Sequence, residues 1–367
     1  MKEKIGSKIL NILASSSGFF PGPMIARRLK IARSAISRWI KEYRMLGCII
    51  DSRPGQGYRL VSVPDRLVPL FITMGLKTKI IGRQVFFYPT IDSTNTQAKV
   101  IAGQGIHDGA LVITDYQTHG QGRLKRQWVS PPKKNLLFSV IVYPFVAFSK
   151  VFLMTVVASL AVCKSLNSLF NIKAGIKWPN DVYVNNRKIC GVLTEVSLDQ
   201  KRVKWVVVGI GLNVNNDPSL DPVLGNIATS IKRETGRAQK RLPILRKIIE
   251  EMDILYKCFL SGDIKSLRNE WLSCSIILGK KVTVFSGGLQ ETGIAETIDK
   301  DGALILLTPD EKKKKIVAGD VSLRIQETGS ETRSQKTGDR CRGTACCARK
   351  RRAQNTAPSR QKPGVRN

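Results

Sequence analysis

The sequence predicts an α+β multidomain chain. An N-terminal winged helix-turn-helix leads into a central mixed sheet covered by helices on one side, and a small β-barrel closes the C-terminal end. Three observations carry that expectation. The first sixty residues place apolar side chains at helical spacing, then set a Pro-Gly-x-Gly turn between two β-rich runs. Between residues 85 and 213 β-rich runs outnumber helical ones, as in a sheet with helices grouped around it. After residue 277 short strands alternate with Gly, Asp and Pro turns, the pattern of a small barrel.

In chain order, Ile5, Ile9, Ile12 and Leu13 mark a first helix. Gly22-Pro23 opens a second, because proline's fixed φ suits the first helical position. In "RSAISRWIKEYRMLG", Ile36, Ile40 and Tyr43 share one face, while Arg33, Ser34, Ser37, Arg38 and Lys41 share the other. Gly47 ends that helix. Two short helices joined by a tight turn make a helix-turn-helix whose second member offers its polar face to the DNA major groove. Arg33 and Arg38 would reach guanine edges or phosphates, and Ser34 and Ser37 leave room for close approach. The hairpin in "CIIDSRPGQGYRLVSV" is the wing, with Arg53 and Arg59 near the DNA backbone. Helix-turn-helix units also mediate protein contacts. The charge balance favours DNA here: 60 Lys and Arg against 28 Asp and Glu give a net charge of +32, which draws polyanions. Residues 1–63 therefore form a DNA-binding domain, and 64–81, with two prolines, a connector containing a short helix.

The next segment opens with a strand, Val85 to Tyr88, and "DSTN" then precedes a helix ending at Gly103. Ser93 or Thr94 can cap that helix, and a helix N-terminus also binds hydrogen-bonding ligands. Further strands follow in "ALVITDYQTHG" and "NLLFSVIVYP". "VFLMTVVASLAVC", Val151 to Cys163, is too short to span a bilayer and reads as a buried helix. Trp178-Pro179 breaks one strand, Val182 to Val184 makes the next, and Lys188 to Glu195 another. "VKWVVVGIGLNVN" is a long β-run ending at Asn213. Between them lies "GQGRLKRQW", Gly120 to Trp128. Lys125 occupies the third glycine position of a dinucleotide fingerprint, no helix follows, and no Walker sequence exists. The loop is thus no standard phosphate loop, and an RNA contact stays open. "EKKKK" reads as a solvated turn.

Eight cysteines occur with no CxxC pair, so neither a zinc site nor a disulfide scaffold is expected, and reduced cytosolic thiols are. Lys8 and Asn11 interrupt the apolar N-terminal run, against a signal peptide. The expectation is a soluble cytoplasmic protein with no membrane contact. Residues 327–367 hold almost no large apolar side chains and read as a basic disordered tail.

"DSTN", "YQTHGQGRLKRQW", "KWPND", "RKICGVLTE" and "VGIGLNVN" occur in that order. As a set they resemble the bifunctional biotin–protein ligase and biotin operon repressor family of bacteria, over roughly residues 5 to 325. The resemblance implies a class II synthetase-like ligase domain over 82–276 and an SH3-like cap over 277–326. It implies an enzyme that forms biotinyl-5′-adenylate from biotin and ATP with Mg²⁺. The adenylate then acylates a lysine of the biotin carboxyl carrier protein of acetyl-CoA carboxylase. The same adenylate would act as corepressor, favouring a homodimer on the biotin operator DNA.

By matched position, Ser93, Thr94 and Asn95 line the biotin ureido pocket, and Gln117 hydrogen-bonds biotin. Gln121, Gly122 and Arg123 border it from the loop. Lys188 is the central catalytic residue, contacting the carboxylate and the forming adenylate, with Arg123 and then Lys177 beside it. Arg126, Trp128, Asn180, Asp181, Gly209, Gly211 and Asn213 take the nucleotide, with Trp128 over the adenine and Asp181 also on the metal. Asp320 and Arg324 fall near the nucleotide by the same matching, or merely end a strand. Plainer readings stand beside these. They are helix capping for "DSTN", an Asx turn for Asn180-Asp181, a sheet-edge position for Lys177 and tight strand packing for the glycines. Two residues depart from the family's "GRGR-x-G-R". Gln121 removes a cation, and Lys125 puts a Cβ where glycine takes positive φ freely. The alternatives are a ligand-sensing repressor with impaired ligase activity and a lipoate-attaching enzyme. The order of "KWPND" and "RK-x-x-G" argues against the second.

Overall fold

Apolar spacing in the first sixty residues resolves, in a computed structural model, into α1 (Lys2–Ser15), α2 (Gly22–Leu29), α3 (Arg33–Met45), β1 (Ile49–Arg53) and β2 (Gly57–Ser62). The structure describes residues 2–323, apart from Lys201, Pro222, Val223, Gly287 and Ala318. The predicted tail and Arg324 lie outside the described residues. Ile9, Leu10 and Leu13 of α1 are buried in one core cluster with Ile25 of α2 and Ile36, Ile40 and Tyr43 of α3. Proline stands in the first turn of α2, and Gly47 after α3 takes φ 96°, both as the sequence predicts. Phe20 and Tyr58 exchange backbone hydrogen bonds of 2.8 and 3.0 Å, which tie the hairpin to the start of α2. Gly57 permits this: its φ is 103°, and any Cβ there would strike the backbone of Phe20.

The connector is more firmly held than its composition suggests. It contains α4 (Pro69–Thr73) and buries Leu67, Phe71, Ile72, Met74 and Ile81. The central domain follows as β3 (Val85–Tyr88), α5 (Thr94–Gly103), β4 (Ala110–Thr114), β5 (Leu136–Val142), α6 (Phe152–Phe170), β6 (Gly175–Lys177), β7 (Asp181–Val184), β8 (Arg187–Asp199) and β9 (Arg202–Leu212). Its seven strands lie in the order β3-β4-β5-β9-β8-β7-β6. β3 and β4 are parallel and the other pairs antiparallel, so the sheet is mixed. α6 runs seven residues beyond Cys163. By length and composition the segment Phe148–Phe170 could cross a membrane, but most of it is buried inside the fold. A helix apolar all round is a core helix when other elements cover it.

The sequence reading names no element between residues 214 and 276. Among the described residues the structure has three α-helices there, α7 (Ile231–Thr235), α8 (Arg241–Leu260) and α9 (Ile264–Cys274). The C-terminal strands are β10 (Lys281–Ser286), β11 (Leu289–Ile298), β12 (Leu304–Leu307), β13 (Lys313–Ile316) and β14 (Asp320–Leu323). They form one antiparallel sheet in the order β13-β12-β11-β10-β14. "EKKKK" is not merely a solvated turn: its last three lysines begin the edge strand β13. Lys313, Lys314 and Lys315 pair with Glu296, Glu291 and Asp299 at 2.6, 2.5 and 2.6 Å. Charged edge strands resist further pairing. Trp178, 1 % exposed, donates from Nε1 to the Gly302 carbonyl at 3.1 Å, joining this sheet to the central domain.

Candidate active site

A cavity of about 330 Å³ opens on the β8–β9 face of the central sheet. One wall is the start of α5, a second is the loop Gly120–Trp128, and a third is the segment after β9 around Leu224, Ile227 and Ala228. Glycines make the floor. A Cβ on Gly211 would lie 2.6 Å from the Trp128 indole, and one on Gly191 3.1 Å from it. A Cβ on Gly209 would run into the Asn95 amide. These positions stay bare because the Trp128 indole and the Asn95 amide lie close against the strands.

At the α5 end the polar groups fix one another. The backbone N–H of Thr94 donates to Gln117 Oε1 at 2.7 Å. A backbone N–H can only donate, so the oxygen of Gln117 must face Thr94 and its amide N–H₂ is turned the other way. Asn95 donates to the Leu193 carbonyl at 3.2 Å and to Glu195 at 2.8 Å. Ser139 lies 2.6 Å from Asn95 Oδ1 and 2.8 Å from Thr94 Oγ1. Ser93, Thr94 and Asn95 are all buried. The Ser93 side chain makes no capping hydrogen bond, so the plain capping reading does not account for it.

The other end is cationic. Lys188 Nζ lies 2.7 Å from Asp181 Oδ1 and 5.6 Å from the centre of the Trp128 ring. Arg123 donates to Asn180 Oδ1 at 3.1 Å and to the Gly319 carbonyl at 3.2 Å. Burial pushes the Arg123 guanidinium pKa down, while Asp320 and Asp181 pull it back up. Arg126 pairs with Asp320 at 2.6 Å, so the loop is pinned to β14. Trp128 Nε1 is buried with no partner among the described residues. Within the loop, Leu124 and Lys125 take φ 54° and 57°. The glycine that the family pattern carries at Lys125 would suit this conformation.

Every described residue matched to biotin or nucleotide lines this cavity, Asp320 included, and Arg324 lies outside the described residues. Lys177 does not: its ammonium lies 5.0 Å above the Tyr183 ring, and burial lowers its pKa against the pull of Asp181. Asn213 lines the cavity while its amide donates to the Thr229 carbonyl at 3.0 Å. Arg33, Ser34, Ser37, Arg38, Lys41 and Arg53 lie far from this chemistry in sequence, all exposed on α3 and the hairpin. Arg53 and Arg59 stack on Phe19 at 4.7 and 5.0 Å.

Sequence reasoning missed Ser139, Gly191, Glu195 and Asn216. Ser139 did carry a signal, as the one polar residue in "LLFSVIV", because a buried hydroxyl needs a partner. Asn216 lines the cavity and its Oδ1 is buried without a partner among the described residues, and nothing local marks it.

Residues 87–213 match the biotin/lipoate A/B protein ligase family, 277–324 the biotin protein ligase C-terminal domain, and 7–59 a helix-turn-helix domain. The bifunctional ligase/repressor BirA of Bacillus subtilis is 30% identical over 325 residues, covering 88% of this chain and 100% of that protein. The chain belongs to the bifunctional biotin ligase/repressor family. The Escherichia coli BirA is 28% identical over 87% of this chain and 97% of its own length. A solved biotin protein ligase from Aquifex aeolicus, in complex with biotin and ATP, aligns with TM-score 0.57 and 29% identity. It covers 66% of this chain and 99% of its own. The family gives the cavity its sense: a polar, hydrogen-bonding end and a cationic end share one glycine floor.

Proposed function

We propose that this cavity joins biotin to ATP and passes the product to a carrier lysine. The biotin carboxylate attacks the α-phosphorus, the bond to the β-phosphate oxygen breaks, and pyrophosphate leaves. The carrier lysine, as free amine, then attacks the mixed anhydride; AMP leaves and an amide forms. The observation that carries this reading is Lys188, held at 2.7 Å by Asp181 and over the Trp128 ring. There its charge would meet the carboxylate and the forming mixed anhydride, where negative charge accumulates on the phosphoryl oxygens. Arg123 and Arg126 add fixed cations, and Trp128 offers its face to the adenine. The Gln117 amide would donate to the ureido oxygen beside Ser93, Thr94 and Asn95. The loop Gly120–Trp128 would close over the anhydride and keep water away.

No three His, Cys, Asp or Glu side chains converge on a metal site among the described residues. Mg²⁺ is commonly held by one or two carboxylates with substrate phosphates, and Asp181 fits that part. Bound with ATP, it would neutralise phosphate charge.

In this reading the adenylate is also corepressor. It favours a homodimer that sets two α3 helices on the biotin operator in the cytoplasm, away from membranes. The acceptor is the biotin carboxyl carrier protein. The C-terminal sheet corresponds to an SH3-like barrel and the central domain to a class II synthetase fold. The test is transfer of biotin to a carrier domain with ATP and Mg²⁺, with Lys188→Ala alongside. Transfer by the wild type, lost in the variant by at least ~100-fold as expected for a group stabilising transition-state charge, supports the reading. A wild type that binds biotin and transfers none would overturn the ligase and leave a ligand-sensing repressor.

A further inference from the structure

Arg241 opens α8 in a segment where the sequence reading placed no site. The residue is 4 % exposed. Its Nη1 donates to Asp115 Oδ1 at 2.9 Å and to the Asn135 carbonyl at 3.3 Å, and its Nε lies 3.7 Å from Asp65 Oδ2. The next residue, Leu242, donates its backbone N–H to Asp65 Oδ1 at 2.8 Å. These three acceptors belong to different parts of the molecule. Asp65 stands three residues after β2, where the wing leaves the DNA-binding domain. Asp115 directly follows β4, and Asn135 directly precedes β5. The latter two are the ends of the segment that carries Gln117 and the whole loop Gly120–Trp128.

That segment is pinched shut at the same place. Lys133 donates its N–H to the Asp115 carbonyl at 2.9 Å. Asn135 Oδ1 accepts from the Val214 N–H at 2.9 Å, and its amide reaches Ser130 at 2.9 Å and Asn213 at 3.4 Å. Asn213 lines the cavity. A continuous set of hydrogen bonds therefore runs from the cavity to Arg241 and, through one ion pair and one backbone bond, to the exit of the wing. An arginine suits this position because its fork serves several acceptors in fixed directions.

We propose that Arg241 is a positioning residue that couples ligand-loop order to the DNA-binding domain, so that adenylate in the cavity is felt at Asp65. This rests on the function proposed above. When the loop orders over its ligand, Asp115 and Asn135 settle in one arrangement, Arg241 follows them, and the pull on Asp65 fixes how the wing leaves the core. Coupling of this kind is a difference in operator affinity with and without ligand.

The experiment separates the two ends of the arginine. Asp65→Asn keeps an acceptor for the Leu242 N–H and removes the charge facing Nε, leaving Asp115 and Asn135 untouched. Operator affinity of the full chain is measured with and without biotin and ATP, beside the rate of biotin transfer and the melting temperature. The expected result is transfer within about twofold of wild type, while the ligand-dependent gain in operator affinity, ordinarily ~5–150-fold for allosteric couplings, falls toward one. A merely structural role would weaken both operator measurements together and leave their ratio alone, and that result overturns the proposal. So does a variant with the full wild-type gain. Arg241→Lys is the second variant; it keeps the charge, loses the fork and should lower the same ratio. A wild type that transfers biotin but shows no ligand-dependent gain defeats the coupling and leaves the ligase standing. A wild type that does neither defeats the function reading itself.

Discussion

Lys125 is the residue where this chain's departure from its family meets backbone geometry. It sits at φ 57° directly after Leu124 at φ 54°, and each left-handed non-glycine residue costs about 1–2 kcal/mol. The strain is borne in the ordered loop, so it works against closure over the ligand. Lys125→Gly should order the loop more readily and slow adenylate dissociation about fivefold, the equivalent of ~1 kcal/mol. A stopped-flow chase of bound adenylate measures it; a faster release would show that glycine's extra freedom in the open loop outweighs the relieved strain. Gly211 makes the opposite case. Its Cβ would lie 2.6 to 2.9 Å from the indole of Trp128, and overpacking of this kind costs about 1–3 kcal/mol. Gly211→Ala should raise the KM for ATP by roughly tenfold or more while the affinity for biotin stays within about threefold, because Asn95 and Gln117 lie at the other end. Equal losses for both ligands would mean that the floor works as one piece.

Among the elements, α8 holds the connector in place. Asp253, 2 % exposed, accepts the backbone N–H groups of Lys79, Ile80 and Ile81 at 3.1, 2.7 and 3.0 Å and pairs with Lys257 at 3.0 Å. Burial alone would raise its pKa, but these donors outweigh it and hold the carboxyl below the usual range. A depressed carboxyl contributes its stability above the unfolded value near 3.9 and loses it as pH falls through the folded value. Asp253→Asn should therefore cost about 2 kcal/mol at neutral pH, the scale of hydrogen bonds to a charged group, and the gap to wild type should shrink in melts below about pH 4. None of this was legible in the sequence. The strands and α5 were, because their period and their Gly, Pro and Asn breaks are local, and β3 and the end of α5 fall where the pattern sets them. The motif residues were legible too, as a set. α8 carries Pro243 and mixed charges that blur its apolar stripe, and the partners of Arg241 and the backbone donors to Asp253 lie more than a hundred residues away. Asp320 reaches Arg126 across a similar gap. Long-range pairing has no period, so those contacts emerge only from the fold.

At the scale of the whole molecule the net charge of +32 and the exposed cations of α3 set how strongly, rather than how selectively, DNA is held. Phosphate neutralisation releases counterions, so log affinity falls with log salt by about 0.9 for each phosphate contacted. Arg33, Arg38, Lys41 and Arg53 are all exposed on one small domain. One winged helix therefore gives a slope set by its own few contacts, and two joined by a dimer give about twice that slope. The ligand-dependent repressor reading then has a signature that affinity alone lacks. Adding biotin and ATP should steepen the salt dependence of operator binding about twofold, while a scrambled duplex gains affinity with little sequence preference. Titrations of the full chain against operator DNA at several salt concentrations, with and without both ligands, measure it. If ligand raises affinity at unchanged slope, the added contacts are to bases or to better-placed groups of a single winged helix, and assembly of a second copy is not what the ligand controls. Steepening in Asp65→Asn equal to that of wild type would place dimer formation outside the path through Arg241, leaving that residue to govern only the aim of each winged helix.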